Sequence, residues 1–314
     1  MSRVKRKREL KAKNRAKEGK IMDYKNIESF NEGIIIKDVE NFELDHIFEC
    51  GQCFRWNKQD NGNYIGVAYG KVIEIEKKDK DVKIYNIDED EFNKTWCDYF
   101  DLKRDYTTIK EKFEKDPLLK RSVNFGYGIR LLQQEPFELT ISFIISSNNR
   151  IPMIKRAINN LSLKWGKSIE YKGEIYFAFP TEADLERASL EEIQSCGLGF
   201  RSKYVKDTVH RVHSGEVNLE FIKSQSDDVC HEELQKLSGI GPKVSDCIML
   251  FSMQKYSAFP VDVWVKRAMQ FFYLAPDVSL PKIRIFARDK FENLAGFAQQ
   301  YLFYYARENN IKIE

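Results

Sequence analysis

The chain has 314 residues, enough for two or three compact units with real cores. Its 42% hydrophobic and 32% charged residues describe a globular protein, and no apolar run reaches membrane-span length or resembles a signal-peptide core. The net charge of +3 hides an asymmetry, because residues 1–20 carry ten Lys or Arg against Glu9 and Glu18, while residues 131–314 hold 23 basic and 23 acidic side chains. Any nucleic-acid surface on the body of the protein must therefore be a local patch. Six scattered cysteines (50, 53, 97, 196, 230, 247) point to reduced thiols in an intracellular protein rather than to a disulfide framework.

In chain order, residues 1–21 read as a basic, disordered tail able to add non-specific phosphate contacts. From about 30 to 85 the segments GIIIKDV, QCFRWNKQ, YIGVAYG, KVIEIEKK and VKIYNI read as strands, with Asp60-Asn61-Gly62-Asn63 as a hairpin turn. Residues 88–130 read as helices, with a cap at Asp88 and breaks near Pro117 and Gly126-Tyr127-Gly128. The fold class expected is α+β. An amino-terminal domain at 22–130 carries a twisted antiparallel β-sheet and helices. A mainly α-helical region at 131–314 follows, with helices at 136–148, 151–164, 181–195, 200–214, 218–223, 228–237, 242–254, 261–273, 281–289 and 292–308.

The chemistry concentrates between Leu234 and Asp262. Gly239 and Gly241 form a tight turn between two helical patterns, with a hairpin at about 230–254. Pro242 suits the first turn of the second helix, whose free amides suit a phosphate. Lys243 follows at the helix start, and Asp262 lies 19 residues on in a Pro-Val-Asp setting. A lysine that gives up its proton in place can attack a sugar carbon and form a Schiff base, with a carboxylate balancing the charge that develops. A lone GxGxK is more often an ordinary helix hairpin with a surface lysine. Cys50 and Cys53 form a CxxC, but no second pair or histidine cluster completes a metal site. No cysteine follows Cys247, which excludes a carboxy-terminal four-cysteine iron–sulfur cluster.

LSGIGPKVSDC followed by FPVDVWVKRA closely resembles the helix-hairpin-helix–GPD superfamily of DNA glycosylases, and within it the 8-oxoguanine DNA glycosylase/AP lyases. CGQCFRW (50–56), FIISSNNR (143–150), GLGFRSKYV (197–205) and GFAQQYLF (296–303) extend the resemblance, in the family's order, over nearly the whole chain after residue 40. It implies excision of 8-oxoguanine from double-stranded DNA and β-elimination through a lysine Schiff base. It also implies no cofactor or metal, a monomer that needs no membrane, and a DNA-associated intracellular location.

Residue by residue, the resemblance makes Lys243 the nucleophile and Asp262 its charge-balancing carboxylate. Gly51 matches the glycine whose carbonyl meets N7, an acceptor in guanine and an N–H donor in 8-oxoguanine. Gln299 matches the amide that bonds the base edge. Phe303 and Cys247 match the residues on either face of the base. Asn148 matches the residue that fills the gap in the duplex, Phe200 an aromatic wedge, and Arg201 a cytosine-reading arginine. Gly239 and Gly241 would meet the DNA backbone. Two positions depart from the pattern. Met153 stands where the best-known eukaryotic members carry a second cytosine-contacting arginine, and Trp264 replaces a backbone-contacting histidine. The alternatives are a glycosylase for another damaged base, which the set Gly51, Gln299 and Phe303 disfavours, and a non-catalytic DNA-binding hairpin, which would need neither Lys243 nor Asp262.

Overall fold

The computed structural model describes residues 22–274 and 278–312. The predicted basic tail lies outside them. Six strands, β1 (Asn26–Phe30), β2 (Gly33–Lys37), β3 (Trp56–Lys58), β4 (Tyr64–Ala68), β5 (Lys71–Lys78) and β6 (Asp81–Tyr85), form one antiparallel sheet in the order β1-β2-β6-β5-β4-β3. The register lines up Ile34, Ile84, Ile75 and Tyr64 in one row across four strands, and all four are fully buried. Because side chains alternate along a strand, this row fixes which face meets the core. That face packs on Phe42, Phe48, Trp96 and Phe100. The predicted 60–63 turn joins β3 to β4, with Gly62 at φ +86°. Strand β1 is absent from the sequence reading, because NIESF carries only two large apolar side chains. The predicted strand QCFRWNKQ shrinks to three residues.

Among the described residues ten longer helices build the rest: α1 (Tyr106–Phe113), α2 (Pro117–Phe125), α3 (Pro136–Ser146), α4 (Ile151–Trp165), α5 (Arg201–His213), α6 (Asp227–Gln235), α7 (Pro242–Ser252), α8 (Val263–Phe272), α9 (Leu280–Phe291) and α10 (Ala295–Glu308). Proline sits in the first turn of α2, α3, α4, α7 and α9, where a missing N–H costs nothing. α3 is buried almost all round and α10 on most of its faces, so both run through the second core. The region after 131 is less uniformly helical than its pattern predicts. β7 (Ser168–Tyr171) and β8 (Glu174–Phe177) form a hairpin about Lys172 and Gly173, both at positive φ. Tyr171 and Lys172 bond Glu74 of β5 at 3.1 and 2.7 Å, which docks this hairpin on the sheet. The helix predicted at 181–195 is split. Thr181 with Asp184 and Ser189 with Glu192 form two capping boxes, each starting its own short helix.

Arg130 joins the two cores. It is fully buried, pairs with Asp23 at 2.8 Å and donates to the Phe100 carbonyl at 2.8 Å. The Tyr106 ring lies 4.1 Å beneath its guanidinium. A buried charge needs such complete satisfaction to be tolerated.

Candidate active site

A small cleft opens where the CGQC loop, α3, α7, the turn before α8 and α10 meet. Gly51, Lys243, Cys247, Asp262, Gln299 and Phe303, which are distant in sequence, all line it.

Each is held by its own local device. Gly241 caps α7 without a side chain, so the first amides of that helix have no side-chain partner there, and Lys243 follows on its first turn. Gly239 adopts φ +82°, and a Cβ there would come within 2.6 Å of the Tyr204 ring. Gly241 is exposed with open space beside it, as a phosphate approach requires. Lys243 Nζ lies 5.4 Å from the centroid of Phe143, which also lines the cleft.

Asp262 caps α8, accepting the Val265 N–H at 2.8 Å. Burial raises its carboxyl above the ordinary value, opposed by the Val265 and Trp264 amides and by the charges of Lys243 and Arg307. Burial also pushes the Cys247 thiol up to about 11, partly offset by Lys243, so Cys247 is an uncharged wall at neutral pH.

On α10, Gln299 Nε2 donates to the Pro260 carbonyl at 3.2 Å, which fixes the orientation of the amide. Its Oε1 is buried and bonds nothing among the described residues, an acceptor left for a donor in the cleft. Phe303 lies one turn on, with the Arg307 guanidinium 5.2 Å from its centroid. Gly51 rests on this ring at φ +79°, and a Cβ would come within 3.0 Å of Phe303 Cε1.

Several supporting residues escape sequence reasoning. Gln300 donates to the Cys50 carbonyl at 2.6 Å, binding the Gly51 loop to α10. Gln52 spans the same loop, donating to Ile47 and Arg130 carbonyls at 2.9 and 2.8 Å and accepting the Leu132 N–H at 2.9 Å. Arg307 also donates to the Glu49 carbonyl. In the CxxC, Cys50 and Cys53 are buried free thiols that donate to the Ile47 and Phe48 carbonyls.

The remaining predicted residues do not line this cleft. Asn148 is exposed after α3 at φ 49°, Phe200 is 58% exposed before α5, and Met153 is exposed on the first turn of α4. Trp264 is half-buried on α8, with Arg267 stacked 4.9 Å from its ring. Arg201 differs from an open base reader: it is only 9% exposed and turned onto backbone carbonyls.

The 8-oxoguanine DNA glycosylase N-terminal domain family matches residues 34–140, and the HhH-GPD superfamily of base excision DNA repair proteins matches residues 141–293. The crystal structure of the Clostridium acetobutylicum 8-oxoguanine glycosylase/lyase, in complex with double-stranded DNA containing cytosine opposite 8-oxoguanine, is 63% identical with a TM-score of 0.91, over 92% of this chain and 100% of that one. The probable N-glycosylase/DNA lyase of Methanothermobacter thermautotrophicus is 33% identical, over 68% of this chain and 74% of its own. The N-glycosylase/DNA lyase OGG1 of Arabidopsis thaliana is 29% identical, over 82% and 75% of the two chains. With both halves matched in order and the cleft lying where they meet, the chain belongs to the 8-oxoguanine DNA glycosylase/lyase family of the helix-hairpin-helix–GPD superfamily.

Proposed function

We propose that this protein excises 8-oxoguanine from duplex DNA and cleaves the strand 3′ to the lesion, with Lys243 as nucleophile. The observation that carries the reading is one cleft lined by both Lys243 and Asp262 together with Gly51 and the unpartnered acceptor of Gln299. The target nucleotide leaves the stack and its base enters the cleft. The Gly51 carbonyl accepts the N7–H that guanine lacks, and Gln299 Oε1 accepts an N–H of the Watson–Crick edge. Phe303 and Cys247 cover the two faces of the base.

The Lys243 amine, deprotonated, attacks C1′. The C1′–N9 bond breaks, and its electron pair leaves with the base, which takes up a proton. Ionised Asp262 balances the positive charge that builds on the sugar. The aminal loses a proton from nitrogen and opens at O4′ to an imine, with O4′ protonated. Loss of a C2′ proton then expels the 3′-phosphate by β-elimination. The Gly239–Gly241 turn and the start of α7 hold a backbone phosphate, while Asn148 and Phe200 fill the duplex.

Borohydride reduction tests this directly, because it converts the imine into a stable protein–DNA adduct. Wild type is expected to be trapped on an 8-oxoguanine duplex, and Lys243→Gln to bind the duplex without being trapped. Undiminished trapping of Lys243→Gln assigns the chemistry to another amine. Trapping on a different damaged base alone replaces the substrate.

A further inference from the structure

We propose that the Arg307 guanidinium faces the base as it leaves and stabilises the negative charge that the broken C1′–N9 bond puts on it. The inference rests on the proposed reading of the cleft as a base pocket.

The reaction leaves one charge unanswered. Among the described residues that line the cleft, Lys243 and Asp262 alone are charged, and both act at the sugar. Lys243 is neutral when it attacks, so the lining then holds no cation. The electron pair of the C1′–N9 bond meanwhile passes to the base and spreads over its carbonyl oxygens and ring nitrogens. Asp262 is an anion and cannot balance it. A fixed cation at the pocket edge can, and its effect falls mainly on the transition state.

Arg307 has the place and the spare donor. Gln299, Phe303 and Arg307 follow at four-residue steps on α10 and so share a face. The guanidinium carbon lies 5.2 Å from the centroid of Phe303, the ring proposed to cover the base. Nη1 lies 3.4 Å from where a Cβ of Gly51 would stand. Nη2 donates to the Glu49 carbonyl and Nε to Glu308 Oε1 at 2.9 Å, whereas Nη1 bonds nothing among the described residues. The charge is felt inside the cleft. Burial raises the Asp262 carboxyl and pushes the Cys50 thiol up to about 11, and Arg307 is among the groups that oppose both shifts. Glu308 Oε1 also lies 2.8 Å from Nη2, but its side chain is 42% exposed against 18% for Arg307, so water screens the carboxylate more than the guanidinium. Arginine keeps its own proton. The proton that the base finally takes up is the one the attacking nitrogen loses, so atoms and charge balance without a further acid.

The test compares Arg307→Met, which keeps a stem and removes the charge, with Arg307→Lys, which keeps the charge and removes the fork. Arg307→Met is expected to slow single-turnover excision of 8-oxoguanine about ten- to a hundredfold, and Arg307→Lys less than about fivefold. Introduced into the Lys243→Gln protein, neither change should alter affinity for the 8-oxoguanine duplex by more than about twofold, and neither alone should alter cleavage of a preformed abasic site by more than that. Slowing by Arg307→Lys equal to that by Arg307→Met overturns the proposal, because charge is then not the cause. A loss of affinity that accounts for the loss of rate, an equal loss at the abasic site, or no slowing at all overturns it too. Glu49 is exposed, so water can replace the bond to its carbonyl, and both variants are expected to fold. Thermal unfolding checks this, and Arg307→Gln carries the comparison if the methionine variant does not fold. A folded wild type that cleaves an abasic site but excises no 8-oxoguanine overturns the proposed function instead, so the two failures are distinguishable.

Discussion

The side-chain amide of Gln300 donates a 2.6 Å hydrogen bond to the carbonyl of Cys50, 250 residues away. This bond fastens the loop that carries Gly51 to the helix that carries Gln299 and Phe303. It shapes the base pocket without touching Lys243 or Asp262 chemically. Gln300→Met keeps the volume and removes the donor, leaving a buried carbonyl unpaired. It is expected to lower stability by about 1–3 kcal/mol in urea unfolding. Excision of 8-oxoguanine should fall well below wild type, while β-elimination at a preformed abasic site, which needs no base pocket, stays within about twofold. Equal losses in both reactions would place Gln300 in the support of the nucleophile instead.

Asp262 invites a prediction in which activity and stability part. Burial raises its pKa above the ordinary carboxylate value, so the folded state holds this proton more tightly than the unfolded chain. Its contribution to stability is therefore fully present below the unfolded pKa and is lost as pH rises through the raised folded value. At neutral pH the ionised group is a cost accepted for charge balance at the sugar. Asp262→Asn removes the charge but keeps an oxygen for the Val265 N–H, and asparagine caps helices as well as aspartate does. The variant is expected to melt at or above the wild-type temperature at pH 7 while excision falls about a hundredfold or more. The wild-type rate should fall on acidification at a higher pH than an ordinary aspartate would impose, and the variant should lack that limb. A lower melting temperature together with wild-type excision would contradict both halves.

Gly51 is constrained twice. Its φ of +79° disfavours any side chain, and a Cβ would press on the Phe303 ring at 3.0 Å. Gly51→Ala is expected to cost about 1–2 kcal/mol from the backbone angle. It should also displace the ring or the loop carbonyl. The measurement is excision of 8-oxoguanine against cleavage of an abasic site. The first should drop sharply and the second little. Unchanged discrimination between 8-oxoguanine and guanine would remove Gly51 from the recognition of N7.

These residues also mark where the sequence is legible. Gln299 and Phe303 share a helix face by their spacing, and the GIGPK turn announces a helix start, so periodicity and turn chemistry reach both. The amphipathic helices after residue 131 are readable for the same reason. Gln300 is not, because its neighbour Gln299 already claims the functional face, and only the fold brings Cys50 to its other side. The β7–β8 hairpin is hidden because SIEY and EIYF are half-exposed strands with too few buried side chains to set a period. The split near 187 is present in the caps Thr181 and Ser189, but the apolar spacing runs across it. Arg201 is the hardest case. A charged residue beside an exposed phenylalanine reads as a surface group, and its inward turn depends on carbonyls that no side-chain pattern reveals.

The last prediction concerns the base opposite the lesion. Accurate repair removes 8-oxoguanine opposite cytosine and spares it opposite adenine. Cytosine is read by donors aimed at its N3 and O2, and a bulky charged group there also clashes with adenine. Met153 is 44% exposed on the first turn of α4, close in sequence to Asn148, and has no donor. Its flexible thioether adapts to whichever base it meets. Arg201, the other reader implied by the resemblance, has three of its donor groups committed to carbonyls. A good arginine-to-base contact is worth about 1–3 kcal/mol, roughly ten- to a hundredfold in discrimination. The preference for cytosine is therefore expected to be weaker than in an enzyme with two free arginines, though not abolished. Met153→Arg places a donor on an exposed helix face with room to extend, and it should sharpen the preference by raising excision opposite cytosine relative to adenine. Single-turnover excision opposite all four bases at equal salt, for both proteins, measures it. A wild-type enzyme already strongly restricted to cytosine would show that another donor does the reading, and exposed Arg150, three residues before Met153 at the start of α4, would be the next side chain to replace.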